Sequence, residues 1–104
     1  MEFVNVTDIK NFKKSKIIKS VPILTDQLMA STLCIDSNLE MPVHIQKNKD
    51  VIFYIFSGQG KITIDNKTSD IEEGMIVLVP RNKFYSFSTN NDQLIILSFR
   101  NTTN

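Results

Sequence analysis

The stretch Met41-Pro-Val-His-Ile-Gln-Lys-Asn-Lys-Asp-Val-Ile-Phe-Tyr-Ile-Phe-Ser-Gly58 determines how the rest of this 104-residue sequence is interpreted. It starts with a short alternation of polar and apolar residues, passes through the polar segment 47–50, and continues with an apolar run from Val51 to Phe56. An unbroken apolar run between turn residues predicts a strand that is covered on both faces. The only histidine of the chain, His44, lies in the alternating part.

Short strands and turn residues continue over the rest of the chain, and no segment has the periodicity of a long helix. Strands are predicted at 16–24, 28–36, 41–46, 51–56, 61–65, 69–71, 75–79, 84–88 and 94–99. Pro22 suits an edge strand, Asn66 is expected to take a positive φ in a hairpin turn, and Arg100 to Asn104 should fray. This pattern is typical of an antiparallel sandwich or barrel.

The overall charge gives no reason to expect a polyanionic partner. The chain has a net charge of +1, so neither a nucleic acid nor a membrane surface is predicted as its target. Lysines do cluster near the start, at Lys10, Lys13, Lys14, Lys16 and Lys19. We favour an edge strand that lysines guard against pairing with other chains, because this stretch lacks a set of aromatic platforms for bases.

The single cysteine is consistent with a reducing compartment, because Cys34 has no partner for an internal disulfide. The first twenty residues carry Glu2, Asp8 and several lysines and contain no apolar run of signal-peptide length. No stretch of the sequence is apolar enough to span a bilayer. We therefore expect a cytoplasmic protein.

Two spaced sets of residues carry a resemblance to a known family. The first set is Asn38, His44, Gln46, Val51 and Gly58. The second set is Gly74, Pro80, Asn82, Tyr85 and Thr89. At these spacings the chain resembles the cupin superfamily in its small single-domain form, whose motifs are Gly-x5-His-x-His-x3,4-Glu-x6-Gly and Gly-x5-Pro-x-Gly-x2-His-x3-Asn. The resemblance implies an all-β fold, an antiparallel double-stranded β-helix or jelly-roll barrel, formed by one domain over residues 1–104. Its N-terminal edge strands would occupy about 1–36, its motifs 38–89 and its last strand 94–99.

The turn residues of both motifs survive in a physically consistent way. Gly58, Gly74 and Pro80 are kept, whereas Asn38 and Asn82 stand where the family has glycine. Asparagine is the residue other than glycine that best tolerates a left-handed backbone. The turns of the barrel are therefore expected to persist.

The metal site of the family does not persist in the same way. Members that bind a metal use two histidines, a glutamate and a further histidine, and those positions hold His44, Gln46, Val51 and Tyr85. Valine has no donor atom, glutamine offers a neutral oxygen, and tyrosine is a good ligand only when it is deprotonated. Asp50 should point away from the site unless the strand slips in register. We expect no metal and no cofactor, with a divalent transition metal as the alternative.

The family fold implies a barrel whose mouth holds the motif residues. The ligand pocket is predicted to be lined by His44, Gln46, Val51, Phe53, Ile55, Tyr85 and Phe87. Such a small, mostly apolar cavity with a few polar groups is typical of sites for small molecules. In the alternative interpretation, the polar groups satisfy one another and nothing binds.

Two classes of function follow from this pocket. In the first, the protein binds a small ligand or has a regulatory or partner-binding role. In the second it is an enzyme, either a metal-dependent oxygenase, isomerase or decarboxylase, or a metal-free isomerase or epimerase with His44 as the base and Tyr85 as the acid. Some metal-free members of the superfamily place such a pair on opposite sides of a sugar. The sequence does not identify which of Asp36, Glu40 or Asp50 would orient the imidazole.

The far face of the central strand, formed by Ile52, Tyr54 and Phe56, is too apolar to remain in water. Small cupins commonly pair sheet to sheet, so a two-fold homodimer is expected, with exchange of N-terminal strands left open. Coverage by the N-terminal segment Phe3 to Phe12 is the alternative.

Overall fold

The computed structural model describes residues 1–103, and all but one of its regular elements are strands. The exception is a four-residue helix, α1 (Val6–Ile9), which Asn5 caps by accepting a hydrogen bond from the Thr7 backbone N–H. The strands are β1 (Ile17–Leu24), β2 (Leu28–Ile35), β3 (His44–Ile45), β4 (Val51–Ser57), β5 (Gln59–Ile64), β6 (Lys67–Glu72), β7 (Ile76–Val79), β8 (Phe84–Ser88) and β9 (Leu94–Asn101). No helix in this part of the chain has the length and apolar character needed to cross a membrane.

The nine described strands form two antiparallel sheets that face each other. The five-stranded sheet has the order β1-β2-β9-β4-β7, and the four-stranded sheet has the order β3-β8-β5-β6. From β2 onward the chain changes sheet at every connection between successive strands except the β5–β6 hairpin, so the two sheets wind together. The predicted all-β, antiparallel double-stranded β-helix, or jelly-roll barrel, is confirmed.

The core fills the space between the sheets, and alternation along β4 explains which residues enter it. Val51, Phe53 and Ile55 are at most 2% exposed, as the period-two pattern requires for one face of a strand. Phe53 packs edge-to-face on Phe87 at a ring-centroid distance of 4.9 Å and lies 5.3 Å from the ring of Tyr85. Burying side chains of this size contributes about 1.5 to 3 kcal/mol each.

The turns of both motif sets adopt the backbone that their residues allow. Asn38 and Asn82 have φ of 58° and 65°, so the prediction that asparagine preserves these turns is confirmed. In the β5–β6 hairpin the positive φ falls on Asp65, at 51°, and not on Asn66 as predicted. Aspartate shares with asparagine a short polar side chain that supports this conformation locally.

Several strand bounds differ from the prediction because partner strands determine where pairing ends. β3 is only two residues long, whereas β5 and β6 extend over the whole hairpin. β9 continues into the segment that was expected to fray, since Met29 and Leu28 of β2 pair with Arg100 and Asn101. Arg100 is consequently held in a strand.

The outer side of the five-stranded sheet is covered at one end only. There the N-terminal segment contacts β2, with the Asn11 N–H donating to Cys34 Sγ at 3.4 Å, and both Cys34 and its register partner on β9, Ile95, are buried. At the other end Ile52 and Phe99 are each 45% exposed, so residues 1–103 of one chain leave this part of β4 uncovered on its outer face. Coverage of that face by a second subunit stays a prediction. We call this exposed area the outer apolar face; it consists of Ile52, Tyr54, Ile76, Leu78, Leu97 and Phe99.

Candidate functional site

A cavity of about 80 Å³ opens between the inner faces of the two sheets, and we call it the mouth cavity. The five-stranded sheet contributes residues of β1, β2, β4 and β9, and the four-stranded sheet contributes residues of β3 and β8. Five of the seven predicted pocket residues line it, namely His44, Gln46, Val51, Phe53 and Tyr85.

The other two predicted pocket residues lie deeper in the core. Ile55 and Phe87 are both fully buried and do not line the mouth cavity. Each is two positions further along its strand than a lining residue, Phe53 on β4 and Tyr85 on β8. Two residues along a strand are about 6 to 7 Å, which is enough to move a side chain from the cavity wall into the packed interior.

His44 stands at the rim of the mouth cavity with one ring nitrogen already engaged. Its Nδ1 lies 2.6 Å from the backbone carbonyl oxygen of Pro42. Because a carbonyl can only accept, this contact assigns the proton to Nδ1 and leaves Nε2 of the neutral ring with a free lone pair. The orienting partner of the imidazole is therefore a backbone carbonyl.

None of the three carboxylates that were considered as orienting groups lines the mouth cavity. Asp50 accepts from the backbone N–H of Arg81 at 2.8 Å and from its side chain, and these hydrogen bonds hold the pKa of Asp50 below its usual value. Asp36 accepts from the Ser15 N–H at 2.9 Å, which likewise lowers its pKa. Glu40 is exposed, and its backbone forms an isolated antiparallel β-bridge with Ser88. Asp50 points away from the cavity, as the period of the strand predicted.

Tyr85 contributes a buried phenol to the wall opposite β4. It is 7% exposed, and burial raises the pKa of its hydroxyl above the usual value, partly offset by a hydrogen bond with the Gln46 side chain and by the charge of Arg100. The phenol is therefore protonated at neutral pH and can donate a hydrogen bond into the cavity.

His44 and Tyr85 are direct partners across the β3–β8 pair, with ring centroids 6.1 Å apart. Partners at this position of an antiparallel pair project their side chains to the same side of the sheet. The base and the acid thus stand on one wall and do not face each other across a substrate. A step that needs groups on two opposite sides does not fit this arrangement.

The four ligand positions of the resembled motif do not fit a transition metal. His44 offers one imidazole nitrogen, Gln46 a neutral amide, and Val51, which is 2% exposed, offers no donor at all. The raised pKa of Tyr85 disfavours the phenolate that would bind a metal. Within residues 1–103 no group of three or more His, Cys, Asp or Glu side chains is arranged to hold a metal ion.

Part of the cavity wall lies outside the two motif sets and was not predicted from the sequence. This part carries Lys19, Met29, Ser31, Ser98 and Arg100. Ser31 and Ser98 are register partners whose buried hydroxyls hydrogen-bond to each other. A signal was present for Ser98, because alternation places it on the inner face of the predicted strand 94–99, whereas Arg100 lay beyond the predicted end of that strand.

A second, wider depression of about 630 Å³ runs along β5, β6 and the segment 90–92. Its wall is polar and exposed, and Lys61 and Asp70 form an ion pair of 2.9 Å there. None of the predicted site residues lines it. Size alone therefore does not make it the functional site, since convergent polar groups in a concave apolar setting are what a ligand site requires.

Comparison with solved structures gives several close matches in fold. TT1209 from Thermus thermophilus matches with a TM-score of 0.89 and 13% identity over 97% of each chain. KdgF from Halomonas sp. matches with a TM-score of 0.81 and 15% identity, over 100% of this chain and 96% of that one. The DMSP lyase DddQ from Ruegeria pomeroyi matches with a TM-score of 0.74 and 17% identity, over 82% of this chain but only 46% of DddQ. At these identities the likeness shows the fold alone.

Comparison of the sequence itself identifies the family. No curated protein matches the chain. The profile of the family described as "Cupin domain" matches residues 32–99, which include the second half of β2 through most of β9 and every residue of the two motif sets. The chain belongs to the cupin family.

Proposed function

We propose that this protein is a small-molecule-binding cupin whose mouth cavity receives a ligand without a transition metal. One observation carries the proposal. The polar groups of His44, Gln46 and Tyr85 converge on one cavity whose wall also includes apolar side chains, while the position of the family's carboxylate ligand is taken by Val51. A regulatory or partner-binding role for the same barrel is the alternative within this class.

The size of the cavity limits what can enter it. A water molecule occupies about 30 Å³ in the liquid, so about 80 Å³ corresponds to two or three waters. Typical pockets for drug-sized ligands measure about 300 to 1,000 Å³. The ligand is therefore a molecule of a few non-hydrogen atoms, or one small end of a longer molecule whose remainder lies outside the rim.

Methyl NMR of the methionines tests this proposal directly. Met29 and Met41 line the mouth cavity, whereas Met1 and Met75 do not. With 13C-methyl methionine, a set of small neutral, cationic and anionic molecules is titrated into the protein. At least one of them should shift the signals of Met29 and Met41 and leave the other two unchanged. If every molecule of the set leaves Met29 and Met41 unchanged, the proposal is refuted.

A second candidate is acid–base catalysis without a metal. Its support is the hydrogen bond between His44 Nδ1 and the Pro42 carbonyl, which leaves Nε2 free as a base beside the protonated phenol of Tyr85. Because both groups stand on one wall, the proton would leave and return on the same face of the substrate. The metal-dependent enzymes considered above receive no support from the donor set.

Deuterium exchange into a panel of sugars and small carbonyl compounds distinguishes the enzyme from the binding protein. Catalysis predicts exchange that is lost in His44→Ala and in Tyr85→Phe. Equal exchange with the native protein and with both variants would remove this second candidate.

We also propose that a second copy of the chain covers the outer apolar face. In register, Ile52 lies between Leu78 and Phe99, and Tyr54 lies between Ile76 and Leu97, so the face consists of two apolar rows across three strands. Neither row contains a charged residue, which suits a self-complementary, two-fold contact. Exchange of N-terminal strands is not needed, since the N-terminal segment already packs over β2 of its own sheet.

A reducing compartment, such as the cytoplasm, is part of the same proposal. Its support is Cys34, which is a free thiol at 2% exposure and has no disulfide partner in the sequence. Labelling with a thiol reagent in native and denatured protein tests whether Cys34 is a buried free thiol, which is the support for the proposed compartment. The thiol should react only after unfolding.

A further inference from the structure

The charges that line the mouth cavity are all of one sign. Lys19 and Arg100 contribute two cationic groups, and no aspartate or glutamate lines the cavity. Ion pairs do form in the described part of the chain, but they lie elsewhere and join Lys61 to Asp70, Arg81 to Asp50 and Lys83 to Asp65. The cavity therefore has a positively charged lining, and no carboxylate of residues 1–103 is among the side chains that line it.

Arg100 is held in place by the strand that carries it. Arg100 lies two positions after buried Ser98, so both side chains are on the inner face of β9. It pairs with Met29 of β2, whose Sδ lies 3.8 Å from an Arg100 Nη. The residue is half-buried, and its charge is close enough to Tyr85 to act on the phenol. Lys19, on the edge strand β1, is exposed and stands at the rim.

We propose that the mouth cavity binds the carboxylate of a small organic acid, with the guanidinium of Arg100 as the principal anchor. This inference rests on the proposed function, that is, on the mouth cavity being the ligand site. The Tyr85 hydroxyl and the Gln46 amide supply hydrogen-bond donors from the opposite wall, and Lys19 adds charge at the entrance. The short organic part of the acid lies against Met29, Val51 and Phe53.

Carboxylate chemistry fits this lining better than an inorganic anion does. A guanidinium matches a carboxylate in a planar, two-pronged geometry, and such charge-assisted hydrogen bonds are short and strong. The apolar side of the cavity would gain nothing from phosphate, which has no apolar surface to bury, whereas it gains from the methyl or methylene groups of an acid. The volume of about 80 Å³ is suited to an acid of two or three carbons.

The inference is tested by NMR titration of the protein labelled with 13C-methyl methionine. The ligands are acetate, propionate, acetamide and inorganic phosphate, at a constant ionic strength set with chloride. Acetate and propionate should shift Met29 and Met41, with propionate the tighter of the two, while acetamide binds at least about tenfold more weakly. In Arg100→Gln the dissociation constant for acetate should rise about tenfold or more. Arg81→Gln removes the same charge from the exposed pair with Asp50 and should bind acetate like the native protein.

Arg100→Lys guards against a folding defect, because it keeps the charge and loses only the planar fork. Its affinity for acetate should lie between those of the native protein and Arg100→Gln. Three results would each overturn the inference while leaving the mouth cavity as a ligand site. They are acetamide binding as tightly as acetate, acetate binding that is unchanged in Arg100→Gln, and phosphate binding more tightly than both acids. If no tested molecule, charged or neutral, shifts Met29 and Met41, the proposed function and the inference fail together.

Discussion

Replacing Gly58 with alanine is expected to destabilise the barrel far more than the same replacement at Gly74. Both residues have a left-handed backbone, with φ of 89° and 94°, so both variants incur a strain of about 1 to 2 kcal/mol. They differ in what the new Cβ meets. At Gly74 nothing lies within 4 Å, whereas at Gly58 the carbonyl oxygen of Gln93 would be only 2.0 Å away.

The magnitude at Gly58 follows from that contact. Because real Cβ atoms do not approach closer than 3.0 Å, the backbone just before β9 has to move by about 1 Å. That movement disturbs Leu94, which is fully buried, and the pairing of Ser57 with Ile95. We expect Gly58→Ala to lose about 4 kcal/mol or more, a large part of the about 5 to 15 kcal/mol that holds a domain together.

Urea denaturation followed by far-ultraviolet circular dichroism measures both free energies of unfolding. Gly74→Ala should unfold about 4 to 15 °C below the native protein in a matched thermal scan, and Gly58→Ala should be largely unfolded or insoluble at about 37 °C. Equal losses in the two variants would refute the assignment of Gly58 as a contact point between the β4–β5 turn and the start of β9.

Three further predictions follow from the packing and from the pKa of one side chain. Burial raises the pKa of Tyr85, so the stability that its neutral phenol contributes below about pH 10 should be lost as the pH rises through the raised pKa. Urea denaturation at increasing pH should therefore show a smaller loss of unfolding free energy in Tyr85→Phe than in the native protein. Equal losses in the two proteins would contradict this prediction. Phe53→Ala, at 2% exposure, should lower the free energy of unfolding by about 3 to 5 kcal/mol in urea, and a loss below about 1 kcal/mol would mean that the core is packed otherwise. If the proposed dimer forms through the outer apolar face, Ile52→Glu should be a monomer in light scattering at micromolar concentration, whereas Asn66→Glu, in an exposed turn of the other sheet, should behave like the native protein. A native protein that is already monomeric would refute the proposed contact.

The sequence was sufficient to predict the scaffold because its signals are local. Alternation and turn residues define most of the strands, and the spacing of the motif sets identifies the turns at Asn38 and Asn82 without any knowledge of long-range contacts. The position of the left-handed residue in the β5–β6 hairpin was not predictable to one residue, since Asp65 and Asn66 both tolerate that conformation.

Half of the candidate site was not predictable, because long-range pairing determines it. His44 and Tyr85 follow from the motif spacing, but Arg100 becomes a wall residue only because β9 is extended by its pairing with Met29. A local interpretation treats the same residue as part of a frayed end. Likewise, the fraction of the outer face that the N-terminal segment leaves exposed depends on where Asn11 meets Cys34, which no local pattern indicates.

The departures from the family motif fall into two physical groups. Substitutions at turns keep the backbone conformation, as at Asn38 and Asn82, and those at the ligand positions remove donors, as at Val51. A barrel needs the first group to fold, whereas the second group changes which donor atoms face the mouth cavity. We infer that the fold was retained while its contents changed.

The claim that the barrel is retained without the family's metal site is tested most directly by elemental analysis. The native protein is purified without chelator or metal-affinity tag and is dialysed against iron, manganese, nickel, zinc and copper in turn. The variant Gln46→His/Val51→Glu/Tyr85→His, which restores the donor set of the family, serves as the reference and should retain about one ion per chain. The native protein is predicted to retain none in stoichiometric amount with any of these metals. One tightly held ion per native chain, lost on His44→Ala, would contradict the account.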